Sequence, residues 1–585
     1  MKKVLRFLAA SLAVILLFSL LPHDVPVSAR TTGPFSGSGT ADDPFLISTA
    51  EELYALAVLV NAGHDCAGES FLLTADITLN DISDFADWGE TSAPANVWQP
   101  IGNGYTLESG ETALFRGSFS GGGHEIGGMY VFASAGITGA GLFGNTEGGV
   151  IRGLELVNSL VCGEADRVGG IVGKAAGTAL SELSFSGRVH GRNAVGGVAG
   201  EVSDAACTDC SAEAAVTGVR STGGVAGGCA RVRFENCVSA GSAVGENYVG
   251  GIVGIAEETE LVSCENAASV SSPERIGGVV GFCYDCTLSG CVNRGAISGG
   301  DHLGGVAGLA LTSELTGVEN LGRVSGSRFV GGTVGMISGC TLTESANRGP
   351  VGGEDYIGGL IGWSDDGADF GQNGLISGIS RCMNTGAVLG EWGVGGLIGD
   401  AHNADIADCF NIGAVDSSEY AGGLIGYTAD CTVSRCYNTG TISAETAAGG
   451  IVGRNSMDRT TFESCFYLVS CCAAGDEYGT ARDGYELLDE ASYASFDFET
   501  VWEIAEGGYP FARLRTERLA PPSRLWGDLD GSGETTVVDA VLALRISMGI
   551  LETSPLALFG GDADESGTLD VADALIILRI SMGLL

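Results

Sequence analysis

The sequence has very little positive charge. Its 29 Lys and Arg residues stand against 72 Asp and Glu, which gives a formal net charge of −43. Lysine occurs only at Lys2, Lys3 and Lys174. Such a surface repels phosphate backbones, so we expect no nucleic-acid partner.

The sequence also lacks a second long apolar run. At the N-terminus, basic residues precede the apolar stretch 7–21 and the small-residue site Val27-Ser28-Ala29, which predicts a secretory signal peptide over residues 1–29. No later run is long enough to cross a membrane. We therefore expect an extracellular protein that does not span the membrane.

Glycine, by contrast, is abundant, with 96 residues among 585. Much of it belongs to near-copies of Val249-Gly250-Gly251-Ile252-Val253-Gly254, which recur every 27 residues apart from one step of 37. A fixed period of this length is typical of a solenoid, whose units bury their apolar faces by stacking. The first glycines of the copies are Gly169, Gly196, Gly223, Gly250, Gly277, Gly304, Gly331, Gly358, Gly395, Gly422 and Gly449.

Each repeat predicts three short strands. In the copy that starts at Gly250 they are residues 250–254, 261–264 and 268–270. Short strands with tight turns, each parallel to its counterpart in the next repeat, describe a mainly β fold, a right-handed parallel β-helix. The motif predicts about twelve coils.

Cysteines recur at one position of the repeat. Equivalent residues of a parallel solenoid stack about 4.8 Å apart with parallel side chains, whereas a disulfide needs converging Cβ atoms. The close pairs, such as Cys207 with Cys210, lack a histidine at matching spacing, so we expect no zinc. A buried column of thiols is predicted for Cys210, Cys237, Cys264, Cys291, Cys382, Cys409 and Cys436.

An asparagine recurs in the same way, and in most copies a glycine follows two residues later. Asparagine tolerates left-handed backbone at a corner, and stacked side-chain amides can hydrogen-bond along the axis. We predict a structural ladder of Asn266, Asn293, Asn320, Asn347, Asn384, Asn411 and Asn438.

The chain divides into six segments. An N-terminal cap contains a helix capped by Ser48 or Thr49, with one apolar face, because a solenoid end exposes core and unpaired backbone. That face consists of Leu53, Leu56, Ala57 and Val60. The predicted segments are signal peptide 1–29, N-terminal cap 30–100, β-helix 101–466, C-terminal cap 467–517, linker 518–524 and a small C-terminal module 525–585.

The repeats resemble the GLUG motif, named for Gly-Leu-any-Gly. The motif is present as Gly359-Leu360-Ile361-Gly362, Gly396-Leu397-Ile398-Gly399 and Gly423-Leu424-Ile425-Gly426. The resemblance extends to residues 49–61 and 98–102, and so covers most of residues 36–512. GLUG regions occur in bacterial surface and secreted proteins of varied activity, so the resemblance implies display or adhesion more than any reaction.

An aromatic and acidic stripe precedes the glycine pair. Alternation turns these side chains outward, where they could grip a glycan chain or a cell-surface partner, or simply pack at a corner. The candidate glycan-binding residues are Tyr248, His302, Phe329, Tyr356, Tyr420 and, one residue out of phase, Trp392. Arg275 shares their position, and the acidic residues beside them are Glu246, Glu274, Asp301, Asp355, Glu391 and Glu419.

The ten-residue insertion between Gly358 and Gly395 holds the densest group of carboxylates. Asp365, Asp366 and Asp369, with Trp363 and Phe370, are the candidates for glycosidase chemistry, which needs two carboxylates on one face. A solvated loop is the simpler interpretation. The repeats contain no recognisable cluster for a polysaccharide lyase, so we expect a non-catalytic β-helix.

The C-terminal module carries two twelve-residue calcium loops, 34 residues apart. Each places oxygen ligands at positions 1, 3, 5, 7, 9 and 12, with glycine at position 6, and runs directly into an apolar helix. Calcium is therefore the expected cofactor, two ions in all. The loops are 528–539 and 562–573.

These loops lack the preceding helix of an EF-hand and carry Asp at position 12, a combination that resembles a type I dockerin. The resemblance implies calcium-dependent docking on a cohesin of a cellulosome scaffoldin. It implies calcium ligands at Asp528, Asp530, Ser532, Glu534 (carbonyl), Thr536, Asp539, Asp562, Asp564, Ser566, Thr568 (carbonyl), Asp570 and Asp573. It implies cohesin contacts through Val537, Val538, Arg545, Val571, Ala572 and Arg579. Serine at position 5 replaces the usual Asp or Asn with a neutral hydroxyl, which predicts weaker calcium binding.

The sequence thus predicts a secreted cellulosome component. Its β-helix would bind plant polysaccharide or a cell-surface glycan, and the dockerin would anchor it. The alternative is a polysaccharide-degrading enzyme, a glycoside hydrolase or lyase, with its site on one β-helix face.

Overall fold

The glycine repeats form a parallel β-solenoid. The computed structural model describes residues 34–107, 110, 112–134, 137–368, 371, 374–456, 459–472, 476–493, 495–504, 510–512, 529, 535–551 and 571–582. The solenoid has about 15 turns, more than the twelve that the glycine motif predicts. The difference arises before Gly169, where strands stack in parallel without the motif, starting with the pairing of Phe45–Ile47 and Ser70–Leu73.

Each regular coil contains five short strands, so the prediction of three was wrong. The glycine pair is not the inside of a strand: Gly250 ends one strand and Gly251 lies in the bend before the next. Left-handed residues at Glu258 and Ser263 interrupt the rest of the coil, with φ of 47° and 51°. The five ladders of one coil are seen in Asn247–Gly250, Val253–Glu257, Glu260–Val262, Glu265–Asn266 and the start of Ser269–Gly277.

The strands of the solenoid are assigned to ladders 1 to 5 by their pairing. Ladder 1 contains Val168–Gly169, Asn193–Gly196, Arg220–Gly223, Asn247–Gly250, Arg328–Gly331, Asp355–Gly358, Trp392–Gly395, Tyr420–Gly422 and Ala447–Gly449. Ladder 2 contains Phe143–Glu147, Val172–Ala176, Val253–Glu257, Val280–Tyr284, Ala307–Leu311, Val334–Ser338, Ile361–Asp365, Ile398–His402, Ile425–Ala429 and Val452–Asn455. Ladder 3 contains Phe45–Ile47, Ser70–Leu73, Ser118–Ser120, Glu260–Val262, Thr287–Ser289, Glu314–Thr316, Thr341–Thr343, Ser377–Ser380, Ala404–Ala407, Thr432–Ser434 and Thr461–Glu463.

The remaining strands complete the coils. Ladder 4 contains Ile77–Thr78, Glu125–Gly127, Glu265–Asn266, Val292–Asn293, Glu319–Asn320, Ala346–Asn347, Met383–Asn384, Phe410–Asn411, Tyr437–Asn438, Phe466–Leu468 and Thr480–Arg482. Ladder 5 contains Tyr130–Ala133, Val324–Ser325, Val351–Gly352, Val388–Gly390, Val415–Ser417 and Ile442–Ala444. Longer strands that take part in more than one ladder are Val150–Gly163, Ala179–His190, Ala199–Thr208, Ser211–Thr217, Ala226–Glu235, Val238–Val244, Ser269–Gly277 and Ile297–Gly304.

The asparagine ladder forms as predicted along the axis. In the central copy, the Asn347 Nδ2 donates to Asn384 Oδ1 at 2.8 Å and to the Gly349 carbonyl at 2.8 Å, while its Oδ1 accepts from Asn320 Nδ2 at 2.7 Å. All seven asparagines are fully buried. They keep negative φ, so the expected left-handed corner was wrong; other residues make the corners.

Close packing explains the second glycine of the pair. A Cβ on Gly251 would lie 2.1 Å from the Gly278 carbonyl oxygen of the next coil, and from Gly251 to Gly423 the asparagine amide fills the remaining space. A Cβ on Gly332 would lie 2.3 Å from Asn347 Cγ, and a Cβ on Gly251 would lie 2.2 Å from Asn266 Cγ. No side chain fits in that space, so glycine is required for close approach rather than for positive φ.

Two apolar cores run along the solenoid. In one coil, Val249 belongs to the smaller core, whereas Ile252 and Cys264 belong to the larger one. The chain therefore passes between the cores at the glycine pair, and passes back across Asn266 to Val270. The contact between amide and glycine is the boundary between the two cores.

The cysteines are buried and unbridged, in agreement with the predicted thiol column. Cys237 Sγ, for example, donates to the Cys207 carbonyl of the preceding coil at 3.4 Å. Burial raises the pKa of the Cys207 and Cys283 thiols, so these groups remain neutral.

The first coil carries the predicted helix α1, Ala50–Asn61. Thr49 and Glu52 form a capping box at its start, and its predicted apolar face is buried. Downstream of the repeats the structure has α2 (Gly484–Leu487), α3 (Val537–Ser547), α4 (Val571–Ser581), the 3₁₀ turns Val469–Cys471 and Glu490–Tyr493, and the antiparallel pair Trp502–Ile504 and Pro510–Ala512. A further 3₁₀ turn is Phe85–Asp87.

The last coils end against a group of aromatic rings. Trp502 is fully buried, and its Nε1 donates to Asp408 Oδ1 at 3.0 Å. The ring lies 4.8 Å from Phe496 and 5.9 Å from Tyr437, centroid to centroid. In the part of the chain that the structure describes, no helix is long and apolar enough to cross a membrane.

The ladder should be sensitive to the loss of one amide. Asn347→Ala leaves one Asn320 N–H without its partner in a buried site, which costs about 1–3 kcal/mol. It also removes the hydrogen bonds to Asn384 Oδ1, which keeps only the Gly386 N–H, and to the Gly349 carbonyl. We therefore expect a clearly lower midpoint of urea unfolding, measured by circular dichroism.

Thr341→Ala is the matched control, because this side chain is exposed on a strand of the same coil. It should change the unfolding free energy by less than about 0.5 kcal/mol. Equal midpoints for the two variants would show that the ladder is not a stabilising element.

Candidate functional site

One left-handed corner of the solenoid carries a row of large side chains. Its members, two residues before the glycine pair, adopt φ between 53° and 60° and are partly exposed. Left-handed backbone costs a non-glycine residue about 1–3 kcal/mol, and bulky residues are rare there. The row consists of Tyr248, Arg275, His302, Phe329 and Tyr356.

The next coil departs from this pattern. Gly393 takes the corner with φ of 65°, and Trp392, one residue earlier, pairs in register with Asp355. The one-residue offset seen in the sequence thus places glycine at the strained position and the indole beside it.

A second row lies in ladder 2, five residues after the first glycine. Trp363 is in register with Met336 on one side and with Asp400 on the other, and Asp400 is in register with Tyr427. The full row is Ile255, Phe282, Leu309, Met336, Trp363, Asp400, Tyr427 and Arg454.

The rings of the two rows contact each other. Phe329 stacks on His302, Tyr356 and Trp363, with centroid distances of 4.9, 5.3 and 4.9 Å. Trp392 lies edge-on to Tyr356 at 4.8 Å. Further contacts join Trp392 to Tyr420 and Tyr427, both at 5.6 Å, and Tyr248 to Phe282, at 5.6 Å. We call the surface formed by the two rows between Tyr248 and Tyr427 the aromatic face.

Arginines cover both ends of the aromatic face. Arg275 lies 5.2 Å above the Tyr248 ring, and Arg328 lies 5.6 Å above Phe329. At the other end, Arg454 lies 5.0 Å above Tyr420. Cations attract the negative face of a ring, so these contacts help to hold the rings in place.

An open pocket of about 400 Å³ lies on the aromatic face between these arginines. We call it the acidic pocket, and its lining residues are Asp355, Tyr356, Glu391, Trp392, Ser418 and Glu419. The Glu419 backbone N–H donates to the Glu391 carbonyl at 2.9 Å, so the two glutamates stand on adjacent coils.

Asp400 interrupts the second row with a buried carboxylate. Its Oδ1 lies 3.0 Å from His402 Nε2, and the imidazole stacks on Tyr427 at 6.1 Å. Burial raises the pKa of Asp400, and the contact with its carboxylate raises the pKa of His402. Asp365, from the preceding coil, also raises the pKa of His402 through its negative charge.

The predicted catalytic candidates are only partly brought together. Asp365 is buried at the end of its strand, where its Oδ2 accepts from the Gly367 N–H at 3.0 Å. Asp366 turns the insertion instead, accepting from the Ala368 N–H at 2.9 Å. Asp369 and Phe370 lie outside the described residues.

The C-terminal module is described at its helices. Helices α3 and α4 pack through Ala540, Ala543, Ile546, Ala574 and Ile577. The six predicted cohesin-contacting side chains, Val537, Val538, Arg545, Val571, Ala572 and Arg579, are all exposed.

Position 12 of each predicted calcium loop is a buried carboxylate. Asp539 Oδ1 accepts from the Leu529 N–H at 2.8 Å, and its Oδ2 accepts from the Thr536 N–H at 2.7 Å. Asp573 is equally buried. The contact between Asp539 and the Thr536 N–H belongs to the capping box at the start of α3. The other predicted ligands, apart from Thr536, lie outside the described residues.

A metal-ligating trio was not foreseen. Among the described residues, His64, Cys66 and Glu69 place one donor atom each within 4.8 Å of one another. His64 Nε2 already contacts the Glu69 carboxylate at 2.9 Å, and this ion pair accounts for the arrangement.

The sequence analysis did not identify the second row, which includes Asp400 and Tyr427, or His402, two residues after Asp400. A signal was present, because the position five residues after the first glycine recurs with the period of the motif. It was hidden because aliphatic, aromatic, acidic and basic residues all occur there, so no residue type marks it.

Comparison with known proteins identifies one of the repeats. Residues 417–443 match the family model for the GLUG motif. This segment is a GLUG motif. It contains Glu419 and Tyr420, so a GLUG repeat contributes directly to the acidic pocket and the aromatic face.

Two longer likenesses are partial. Halomucin of Haloquadratum walsbyi is 33% identical over 171 residues, which are 29% of this chain and 2% of halomucin. A crystal structure of an immunoglobulin A1 protease from Bacteroides ovatus has a TM-score of 0.37 and 20% identity, covering 45% of this chain and 80% of that one.

The pKa values of His302 and His402 should be shifted in opposite directions. Burial, with Arg275 nearby, lowers the pKa of His302 to about 4, whereas Asp400 raises the pKa of His402 above its ordinary value. Near pH 6 we therefore expect neutral His302 and protonated His402, measured by NMR of histidine-labelled protein.

The contact between His402 and Asp400 should stabilise the fold while the imidazolium faces a carboxylate. This effect is lost as pH rises through the raised pKa of His402, and also as pH falls through the pKa of Asp400. Asp400→Asn should return that pKa to the ordinary range or below it, without moving His302. Titration of both residues together near their ordinary value would contradict this assignment.

Proposed function

We propose that the solenoid is a non-catalytic carbohydrate-binding body and that its aromatic face holds a glycan chain. One observation carries the proposal: the chain of ring contacts runs unbroken from His302 through Phe329, Tyr356 and Trp392 to Tyr427. Partly exposed rings offer flat apolar surfaces, and their polar edges remain near water.

The shape of the face favours a polymer over a small molecule. Its rings repeat once per coil, about 4.8 Å apart, and are therefore aligned with the solenoid axis. A small-molecule site would enclose most of its ligand, whereas this face stays open along its length. The ligand class that we propose is plant polysaccharide or a cell-surface glycan.

The strained corner supports the same function. Three successive coils hold Phe329, Tyr356 and His302 in left-handed backbone, although smaller residues, Ala194 and Ser221, occupy the same position upstream. Large rings at a costly position are expected where strain serves a site.

We further propose that the protein is extracellular and cellulosome-associated, with calcium-dependent docking of the C-terminal module on a scaffoldin cohesin. Two ions would be held by the twelve ligand positions named above. Val538 and Val571 support an apolar contact, since they are 57% and 51% exposed at the starts of α3 and α4. The calcium would fix the loops from which these helices begin.

A second function has one specific observation in its favour. Asp365, Asp400 and His402 put two carboxylates and an imidazole on the aromatic face, and both Asp400 and His402 have raised pKa values. Such a group could serve as acid and base in a polysaccharide-degrading enzyme.

Glycan binding should depend on the stacked rings. A chain with both Phe329→Ala and Tyr356→Ala loses two ring contacts of about 1 kcal/mol each, so its affinity for a bound polysaccharide should fall by about tenfold or more. Affinity electrophoresis against a panel of soluble plant polysaccharides measures this loss.

Tyr105→Ala is the control, because this ring is 46% exposed and belongs to neither row. It should bind like the unaltered chain. An equal loss of affinity in the control and in the double variant would show that the aromatic face is not the binding site. If the protein depolymerises the polysaccharide and the Asp400→Ala variant does not, the enzymatic function is favoured over the binding function.

Docking should depend on calcium. We expect the full chain to be captured on at least one cohesin of an immobilised scaffoldin panel, and to be released by EGTA or by the paired changes Asp528→Ala and Asp562→Ala. Glycan binding by the same variant should persist. Capture that survives EGTA would be evidence against a dockerin.

A further inference from the structure

The aromatic face contacts arginine side chains of its own chain. Arg275 lies above the Tyr248 ring and is also paired with Glu274 at 2.8 Å. Arg328 lies above Phe329 and is paired with Asp301 at 2.5 Å. In each case the guanidinium contacts both a ring and a carboxylate.

The acidic pocket repeats this arrangement without the arginine. Tyr356 and Trp392 supply the rings, and Asp355, Glu391 and Glu419 supply the carboxylates. Among the residues that the structure describes, no arginine lies above the Tyr356 or Trp392 ring. Arg328 is in register with Asp355 on the adjacent coil, but its guanidinium is paired with Asp301 and lies above Phe329. The cation series is thus interrupted in the coils between Arg328 and Arg454.

The electrostatics of the pocket favour a positively charged ligand. Three carboxylates on adjacent coils repel one another, in a chain whose net charge is −43. An organic ammonium fits better than a metal ion, because calcium prefers a shell of six to eight oxygens, whereas two walls of this pocket are rings.

We infer that the acidic pocket binds the ammonium group of an amino sugar within the glycan chain. The ammonium lies between Asp355, Glu391 and Glu419, and the sugar ring packs on Trp392. The inference rests on the proposed glycan-binding function and specifies the chemical class of the glycan: one with free amino groups. Exposed glutamates and an open pocket of about 400 Å³ leave room for one sugar unit of a continuing chain.

Isothermal titration with two matched ligands tests the inference. One is a β-1,4-linked glucosamine oligosaccharide, and the other is the same oligosaccharide fully N-acetylated, which lacks the charge. Exposed ion pairs and a cation over a ring each add a modest attraction, so the charged form should bind about tenfold more tightly.

The paired change Glu391→Gln and Glu419→Gln keeps the shape of the pocket and removes two charges. It should abolish the preference for the charged oligosaccharide. Glu246→Gln is the matched control, since Glu246 occupies the same position relative to its glycine pair as Glu391 and is exposed. The control should keep the full preference.

The outcomes separate the inference from the function on which it rests. Equal affinity for both oligosaccharides, or a preference that survives in the Glu391→Gln, Glu419→Gln chain, overturns the inference and leaves neutral glycan binding intact. Tighter binding of an oligolysine peptide than of the glucosamine oligosaccharide also overturns it, in favour of a basic peptide. Failure of every glycan, charged or neutral, overturns the proposed function as well.

Discussion

The hydrogen bonds that pass from asparagine to asparagine along the axis are the constraint on which the other features of the solenoid depend. From Asn266 to Asn411, each Nδ2 donates to the next asparagine Oδ1 at 2.7–2.8 Å and to a carbonyl of its own coil at 2.8–2.9 Å. At the end of the row, Asn438 Nδ2 donates to Cys471 Sγ at 3.4 Å. A fully satisfied buried network fixes one arrangement, because any shift would leave polar groups unpaired. The coils are thereby locked in register.

The packing of the asparagines against the glycine pair also determines which residues meet at the surface. The carbonyl of the next coil and the amide together leave no room for a side chain at Gly332, where the chain bends from one core to the other. The bend brings the left-handed corner of ladder 1 beside the outward positions of ladder 2. Phe329 and Trp363, separated by 34 residues in the sequence, therefore stack at 4.9 Å. The candidate site is a consequence of how the coil is folded, and its chemistry comes from residues that vary from one coil to the next.

The sequence predicted the repeats and the architecture well because period and burial are local properties. The capped helix, the thiol column and the asparagine amides all follow from spacing, and the structure contains them. The predicted number of strands per coil was wrong, because Glu258 and Ser263 adopt left-handed backbone that their residue types do not predict. The second row was not predicted, for a related reason. Asp400 and Tyr427 share a repeat position with Leu309 and Met336, so no residue type marks the row and only the register of the strands shows it.

The central claim is that a row of rings, repeated once per coil, holds an extended glycan. The dependence of affinity on oligosaccharide length tests it most directly, with the full chain and a series of oligomers of the polysaccharide that binds best. The affinity should rise with each added sugar until the rings from His302 to Tyr427 are covered, and then level off. A monosaccharide that binds as tightly as the longest oligomer would contradict the claim.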